Sequence, residues 1–108
     1  MNMNERQIKA NQRMVDKMIH TTVNIKYGKR DTYDPITGTY TTTWDINKEV
    51  PAYIGKFELE KIAFSDNKLT TEHSMVIIKG EEEAEFINDK PVDFRTYNKG
   101  YTVFGVIL

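Results

Sequence analysis

The sequence contains no cysteine, and that absence removes several kinds of chemistry at once. Disulfide bonds, thiol catalysis and cysteine-ligated zinc all need the thiol group. Long apolar runs are absent too, since none approaches the roughly 20 residues that a membrane-spanning helix needs. The N-terminus lacks the apolar core of a signal peptide. We therefore expect a protein made in a reducing cytoplasm, with no membrane as a partner.

An excess of charge of one sign is also missing. Fifteen Lys and Arg residues face sixteen Asp and Glu residues, which gives a formal net charge of −1. The chain thus has no global basic field that would attract nucleic acid or anionic lipid. Its 39% hydrophobic and 29% charged residues are typical of a globular protein and not of a disordered one. With 108 residues, it is expected to form a single domain over 1–108 with one modest core.

Catalytic and metal-binding motifs are scarce. The two histidines, His20 and His73, are far apart and lack metal-ligand spacing, which favours polar boundary positions for both. No Gly-rich phosphate loop and no Gly-x-Ser-x-Gly elbow occurs. The acidic run at 81–83 is typical of a solvated turn more than of a cation site. We expect a protein that is not an enzyme, with no catalytic residues, no cofactor and no metal.

Residues 1–20 contain the predicted N-terminal helix, over 4–20. Ile8, Val15 and Ile19 recur at helical spacing and form an apolar stripe. A helix of this length is marginal alone in water, so it must dock on another surface. Basic residues occupy much of the remaining surface, and we predict partner binding for four of them: Arg6, Lys9, Arg13 and Lys17. Docking on the protein's own barrel or on a partner is favoured over binding to phosphate or anionic lipid.

From residue 21 onward the pattern indicates β-structure. Apolar and polar residues alternate in short runs, at 23–27, 40–44, 50–54, 75–79, 84–87, 92–94 and 101–108. Gly28 is expected to end the first strand, and the Asp-Pro-Ile-Thr-Gly sequence at 34–38 predicts a hairpin turn. The last run is apolar on both faces and should lie inside a sheet. The predicted fold is mostly β: a small β-barrel of about five to seven strands over 21–108, with one N-terminal α-helix and a long internal loop.

The long internal loop is the segment at 56–74, and its pattern fits two structures. Its apolar residues allow a short helix at 58–63, but the Ser-Asp-Asn-Lys sequence at 65–68 interrupts the run and equally allows a partly ordered loop. A loop of this length in a compact domain is usually functional or disordered.

Five aromatic residues of the strands also permit two interpretations: Tyr27, Tyr33, Tyr40, Trp44 and Tyr53. They could form a stacking platform for single-stranded nucleic acid, as OB-folds do. Cross-strand and core packing is the alternative, and the missing positive charge favours it.

The order of these signals resembles the small head completion proteins of siphophages, the head–tail connector or stopper family. The resemblance covers most of residues 14–107. It rests on five stretches: Val-Asn-Ile-Lys-Tyr at 23–27, Tyr-Asp-Pro-Ile-Thr-Gly-Thr at 33–39, Val-Pro-Ala at 50–52, the strand at 75–78, and the closing hairpin of 88–92 with 101–106.

The resemblance implies a structural role without catalysis. The members of the family form a ring beneath the portal and adaptor of the virion, at the junction between the DNA-filled head and the tail. The implied partners are further copies of the chain, a portal-adjacent adaptor protein, tail proteins and the packaged DNA that passes through the channel. On this basis we predict that the loop 56–74 lines the channel or contacts a neighbour, through Phe64, Asp66, Asn67 and Lys68. Two alternatives are a tail-side joining or tail-completion protein and a small single-stranded nucleic-acid-binding β-barrel.

Overall fold

The sheet of this protein closes into a barrel, and alternating apolar residues fill its interior. The computed structural model describes residues 3–108, with these elements: α1 (Met3–Met18), β1 (Thr21–Asp34), β2 (Thr39–Lys56), α2 (Leu59–Ala63), β3 (Ser74–Lys79), β4 (Phe86–Ile87), β5 (Lys90–Asn98) and β6 (Tyr101–Val106). All pairings are antiparallel, in the order β1-β2-β3-β6-β5-β4, and the sheet closes on itself. The prediction of a small, mostly-β barrel with an N-terminal helix is confirmed.

The inside of the barrel holds the main core. Val23 and Ile25 of β1 point inward at every second position, and Val76 and Ile78 of β3 do the same. Phe104 of β6 is the largest fully buried side chain. The period of two seen in the sequence is therefore the spacing of the residues that fill the barrel.

A second apolar layer lies on the outer face of β3 and β6. Val15 of α1 is fully buried there and packs with Ile77 and Val103. This layer explains why β6 is apolar on both faces: one face lines the barrel and the other lies beneath the helix. As the sequence predicts, β6 is inside the sheet, between β3 and β5.

The turn between β5 and β6 fixes the N-terminal half of α1. The Asn11 side-chain amide donates to the Lys99 carbonyl at 2.7 Å. Gly100 has φ of +101°, and a Cβ there would lie 2.8 Å from the backbone oxygen of Ile8. The helix therefore approaches the barrel at a point where only glycine leaves room. The apolar stripe of α1 thus docks on the protein's own barrel.

Two expected strand boundaries are wrong. Gly28 does not end β1, because its φ of +75° lets the backbone bend while the pairs on either side, Tyr27 with Ile46 and Lys29 with Trp44, keep one register. The predicted strands at 40–44 and 50–54 are a single strand, β2. The polar residues 47–49 between them pair with residues 24–26, so β1 continues the ladder where the apolar pattern stops.

Candidate functional site

The hairpin arm, residues 28–45, extends beyond the barrel. Residues 29–33 and 35–43 are all exposed. The ladder between Lys29–Trp44 and Asp34–Thr39 advances five residues, or about 17 Å at 3.3 Å per residue. The longest dimension of the molecule is 56 Å, against 36 and 24 Å for the others. The arm therefore projects from the barrel into solvent, where another molecule can reach it.

A well-defined turn forms the arm tip, residues 33–40. An Asp34 carboxylate oxygen accepts the Ile36 backbone N–H at 2.9 Å, and the Gly38 N–H donates to the Asp34 carbonyl at 2.8 Å. The hydrogen bond from the Ile36 N–H holds the pKa of the Asp34 carboxyl below its ordinary value. Gly38 adopts φ of +71°. This turn holds the Ile36 side chain out in solvent, 94% exposed.

Aromatic residues flank the tip but do not form one platform. Tyr33 and Tyr40 are cross-strand partners with ring centroids 5.0 Å apart, and both are more than half exposed. Trp44 instead packs edge-on against Phe86 at 5.6 Å, and Tyr53 packs against His20 at 5.5 Å. These four of the five aromatics grouped from the sequence are thus spread over separate parts of the molecule, each in a cross-strand or local ring contact.

The second surface is the anchored loop, residues 57–73, which contains the short helix α2. The Ser65 hydroxyl donates to the Ile62 carbonyl at 2.7 Å and accepts the Leu69 N–H at 3.0 Å. Leu69 is buried and packs directly over Gly105, where a Cβ would overlap the Leu69 side chain. Of the two structures that the sequence allowed at 58–63, the helix is the one that forms.

A buried histidine ties the end of this loop to β5. His73 is 5% exposed; its Nδ1 accepts the Thr70 backbone N–H at 2.9 Å, and its Nε2 lies 2.8 Å from an Asp93 carboxylate oxygen. The acceptor role of Nδ1 assigns the proton to Nε2, which donates to Asp93. The expected boundary position of His73 is therefore wrong, because the sequence does not reveal the Thr70 and Asp93 partners that make burial possible. Within residues 3–108, no group of three His, Asp or Glu side chains is arranged to hold a metal ion.

An apolar depression of about 380 Å³, the outer groove, lies between the anchored loop and the outer faces of β3, β5 and β6. Phe57 and Phe94 form part of its wall, edge to face with centroids 6.2 Å apart. Phe64 stands at its rim and is 81% exposed. Of the lining residues that the structure describes, Lys61 alone carries a formal charge.

The structure brings the four predicted loop residues into one exposed turn. Asp66 and Asn67 adopt φ of 55° and 66°, and both are exposed, as are Phe64 and Lys68. Their contact with a channel or neighbour stays a prediction.

The predicted basic residues form a third surface on α1, the basic stripe: Arg6, Lys9, Arg13 and Lys17. All four are exposed on the side of the helix opposite Val15, over about three turns. The ion pairs found among residues 3–108 include none of them, although the nearby Asp16 binds Lys79 at 3.1 Å. No hydrogen bond or ion pair among residues 3–108 joins the stripe to the loop turn.

Sequence reasoning missed the arm tip and the outer groove as surfaces. One signal for the arm was available: the strand at 39–43 consists of four threonines and Tyr40, so it offers little apolar surface to bury. No comparable signal existed for the groove, because Phe57 and Phe94 read as core residues until their spatial relation is known.

Comparisons with known proteins bear on the fold. No family model matches the chain, and no curated protein does. The solution structure of protein SF1141 from Shigella flexneri 2a is similar, with a TM-score of 0.57 over 83% of this chain and 92% of that one, at 11% identity. At that identity the similarity shows a shared fold and nothing further. Among residues 3–108, no helix has the length and apolar character that crossing a membrane requires.

Proposed function

We propose that the protein is a structural component of a tailed-phage virion, which forms a ring in the head–tail connector, closes the DNA-filled head and attaches the tail. The observation that carries this proposal is the position of the Tyr-Asp-Pro-Ile-Thr-Gly-Thr stretch at 33–39. This stretch is one of the five whose order carries the family resemblance, and it forms the tip of an arm that extends out of the barrel. An exposed tip that carries Ile36 between two tyrosines is typical of a contact surface, since apolar patches on a soluble protein mark interaction sites.

The charge distribution supports a role in which DNA passes without being held. The arm contains two basic residues and three acidic ones, and the chain as a whole has a net charge of −1. Affinity for DNA comes largely from neutralising phosphates with Lys and Arg, so these surfaces have little of it. The basic stripe of α1 is the exception, and we assign it to an acidic partner in the connector, either the adaptor or a tail protein.

Electron microscopy of the phage particle that contains the protein tests the proposal. Density for the barrel at the head–tail junction, in a ring, is the expected result. Phage that lack the gene should produce filled heads that lose DNA and do not join tails, and a copy supplied in trans should restore both properties. Density for the barrel at any other position in the particle would contradict the proposal.

Two variants separate the proposed contacts. Reversing the charge of Arg6, Lys9 and Arg13 should reduce head–tail joining if the basic stripe binds the connector. For a control of equal charge, reversal of Arg6 and Lys9 together should reduce joining more than reversal of Lys90 and Lys99, which are exposed and lie outside the arm, the loop and the stripe. Deletion of residues 64–72 should impair DNA retention or tail attachment. Particles that keep their DNA and join tails despite that deletion would remove the loop 56–74 from the mechanism.

A nucleic-acid-binding barrel is the second candidate, and the exposed Tyr33–Tyr40 pair is the observation in its favour. Such binding would give a gel shift with single-stranded oligonucleotides that weakens steeply as salt increases. We expect no shift at physiological salt. A tail-side joining protein is distinguished by its position in the same micrographs.

A further inference from the structure

The arm tip and the outer groove are apolar surfaces of opposite shape. The tip is convex and presents Ile36 at 94% exposure. The groove is concave, about 380 Å³ in volume, with Phe64 81% exposed at its rim. No residue of the arm lines the groove of the same chain, as far as residues 3–108 show. Each surface therefore remains available to a second molecule.

Their charges are complementary as well. Asp34 is two residues from Ile36, and its carboxylate is held beside the turn by the Ile36 N–H. An aspartate is ionised at neutral pH, and the hydrogen bond from the Ile36 N–H, which lowers the pKa of Asp34, favours the same form. Lys61 is the charged residue that lines the groove, and no ion pair among residues 3–108 occupies it. An apolar side chain beside a carboxylate thus matches an apolar groove beside an ammonium group.

We infer that the arm tip of one copy inserts into the outer groove of a second copy, with Ile36 in the groove and Asp34 beside Lys61. The contact joins two different surfaces, so it is heterologous: each copy offers an arm to one neighbour and a groove to the other. Repetition of such a contact closes a ring when the rotation per copy divides a full turn, and otherwise extends a filament. The inference rests on the proposed function, which requires a ring, and it names the surfaces that build it.

The absence of cysteine makes a direct cross-linking test possible. Thr37→Cys places a thiol at the tip and Asn98→Cys places one in the groove wall, and both changes leave Ile36, Asp34 and Lys61 in place. A short bis-maleimide added to the full-length double variant should produce a ladder of covalent dimers, trimers and higher species. Each single variant should give dimers at most. In the control pair, Asn98→Cys is replaced by Thr22→Cys, an exposed position on β1 outside the groove.

Mass spectrometry then identifies the linked peptides. A 37–98 link that forms at least tenfold faster than the 37–22 link supports the inference. Equal rates for the two pairs, at protein concentrations up to the millimolar range, overturn it. Competition with unlabelled wild-type chain should slow the 37–98 link, whereas a chain with Ile36→Asp and Lys61→Glu, which damages both surfaces, should not.

Sedimentation of single variants gives a second measurement. Ile36→Asp lies on a fully exposed turn, so it should leave the fold intact and weaken self-association at least tenfold. Thr41→Asp, further down the arm, adds the same charge and should have little effect. Association that is unchanged by Ile36→Asp overturns the inference even if rings form.

The outcomes also separate this inference from the proposed function. A ring at the head–tail junction without the 37–98 link overturns the inference alone. A 37–98 link in a protein that the virion does not contain overturns the proposed function alone.

Discussion

The hairpin arm and the anchored loop both leave the barrel, but they are held in opposite ways. The loop returns two side chains to the body of the protein, since Leu69 fills the space above Gly105 and His73 binds Asp93, and Ser65 closes the turn that leads to Leu69. In the arm, Trp44 packs against Phe86 of the barrel, and beyond Trp44 the two strands pair only with each other. The part of the chain with regular secondary structure is thus the more independent of the two.

This difference shows that an irregular segment is not necessarily a free one. The loop was expected to be the functional segment because it is long and its sequence has no clear period. Its backbone is nevertheless fixed by buried side chains, whereas the arm is fixed only by its own ladder and turn. We therefore expect the loop to unfold together with the barrel and the arm to open independently of it.

Truncation of Leu69 should show the difference between the anchored loop and the arm most strongly. Leu69→Ala removes a buried side chain and leaves a cavity above Gly105, so we expect a loss of about 2–4 kcal/mol in the free energy of unfolding. Ile36→Ala, at the exposed arm tip, should change it by less than about 0.5 kcal/mol. Urea unfolding of both variants, followed by tryptophan fluorescence and circular dichroism, measures the two losses. Similar losses would mean that the arm is part of the cooperative unit.

Replacement of His73 should have the next largest effect. His73→Leu removes two hydrogen bonds, one from the Thr70 N–H and one to Asp93, and each is worth about 0.5–1.5 kcal/mol net, so we expect a loss of about 1–3 kcal/mol. Hydrogen exchange should accelerate at residues 65–73 more than elsewhere. His20→Leu is the matched control, because His20 is exposed. If both histidine variants lose the same stability, His73 does not anchor the loop.

Substitution at Gly28, where the arm leaves the barrel, should reduce the free energy of unfolding by less. Gly28→Ala forces an L-residue to keep φ of +75° and brings its Cβ to 2.5 Å from an Asp45 carboxylate oxygen. We expect a loss of about 1–2 kcal/mol from the backbone conformation, with more if Asp45 cannot move. Gly38→Ala shares the positive φ but has open space around it, so it serves as a control for the steric part. Thermal unfolding of the two variants separates the contributions, and equal losses would show that Asp45 is irrelevant.

The barrel could be predicted from the sequence because its signal, the alternation of apolar and polar residues, lies within each strand. Val23 and Ile25 alternate with polar residues, and that period directly states which face is buried. The continuation of β1 through Gly28 could not be predicted, since it depends on pairing with β2, where Lys29 lies opposite Trp44. The burial of His73 and the opening of the groove beside Phe94 depend in the same way on long-range contacts. The arm tip lies between these cases: its turn could be predicted, but only the threonine-rich sequence at 39–43 indicated its exposure.

Titration of Asp34 should give the smallest effect and the sharpest test of how separate the arm is. The Ile36 N–H lowers the pKa of this carboxyl in the folded tip, so its ionised form stabilises the turn. That stabilisation is present above the pKa of the unfolded chain, about 3.9, and is lost as pH falls through the lower pKa of the folded tip. NMR should show a titration midpoint below the ordinary aspartate value, with the Ile36 amide shift moving in step, and Asp34→Asn should abolish that movement. Because the arm pairs only with itself, the change should be confined to residues near 33–40. Shifts of equal size at Leu69 would instead couple the two regions and contradict the comparison.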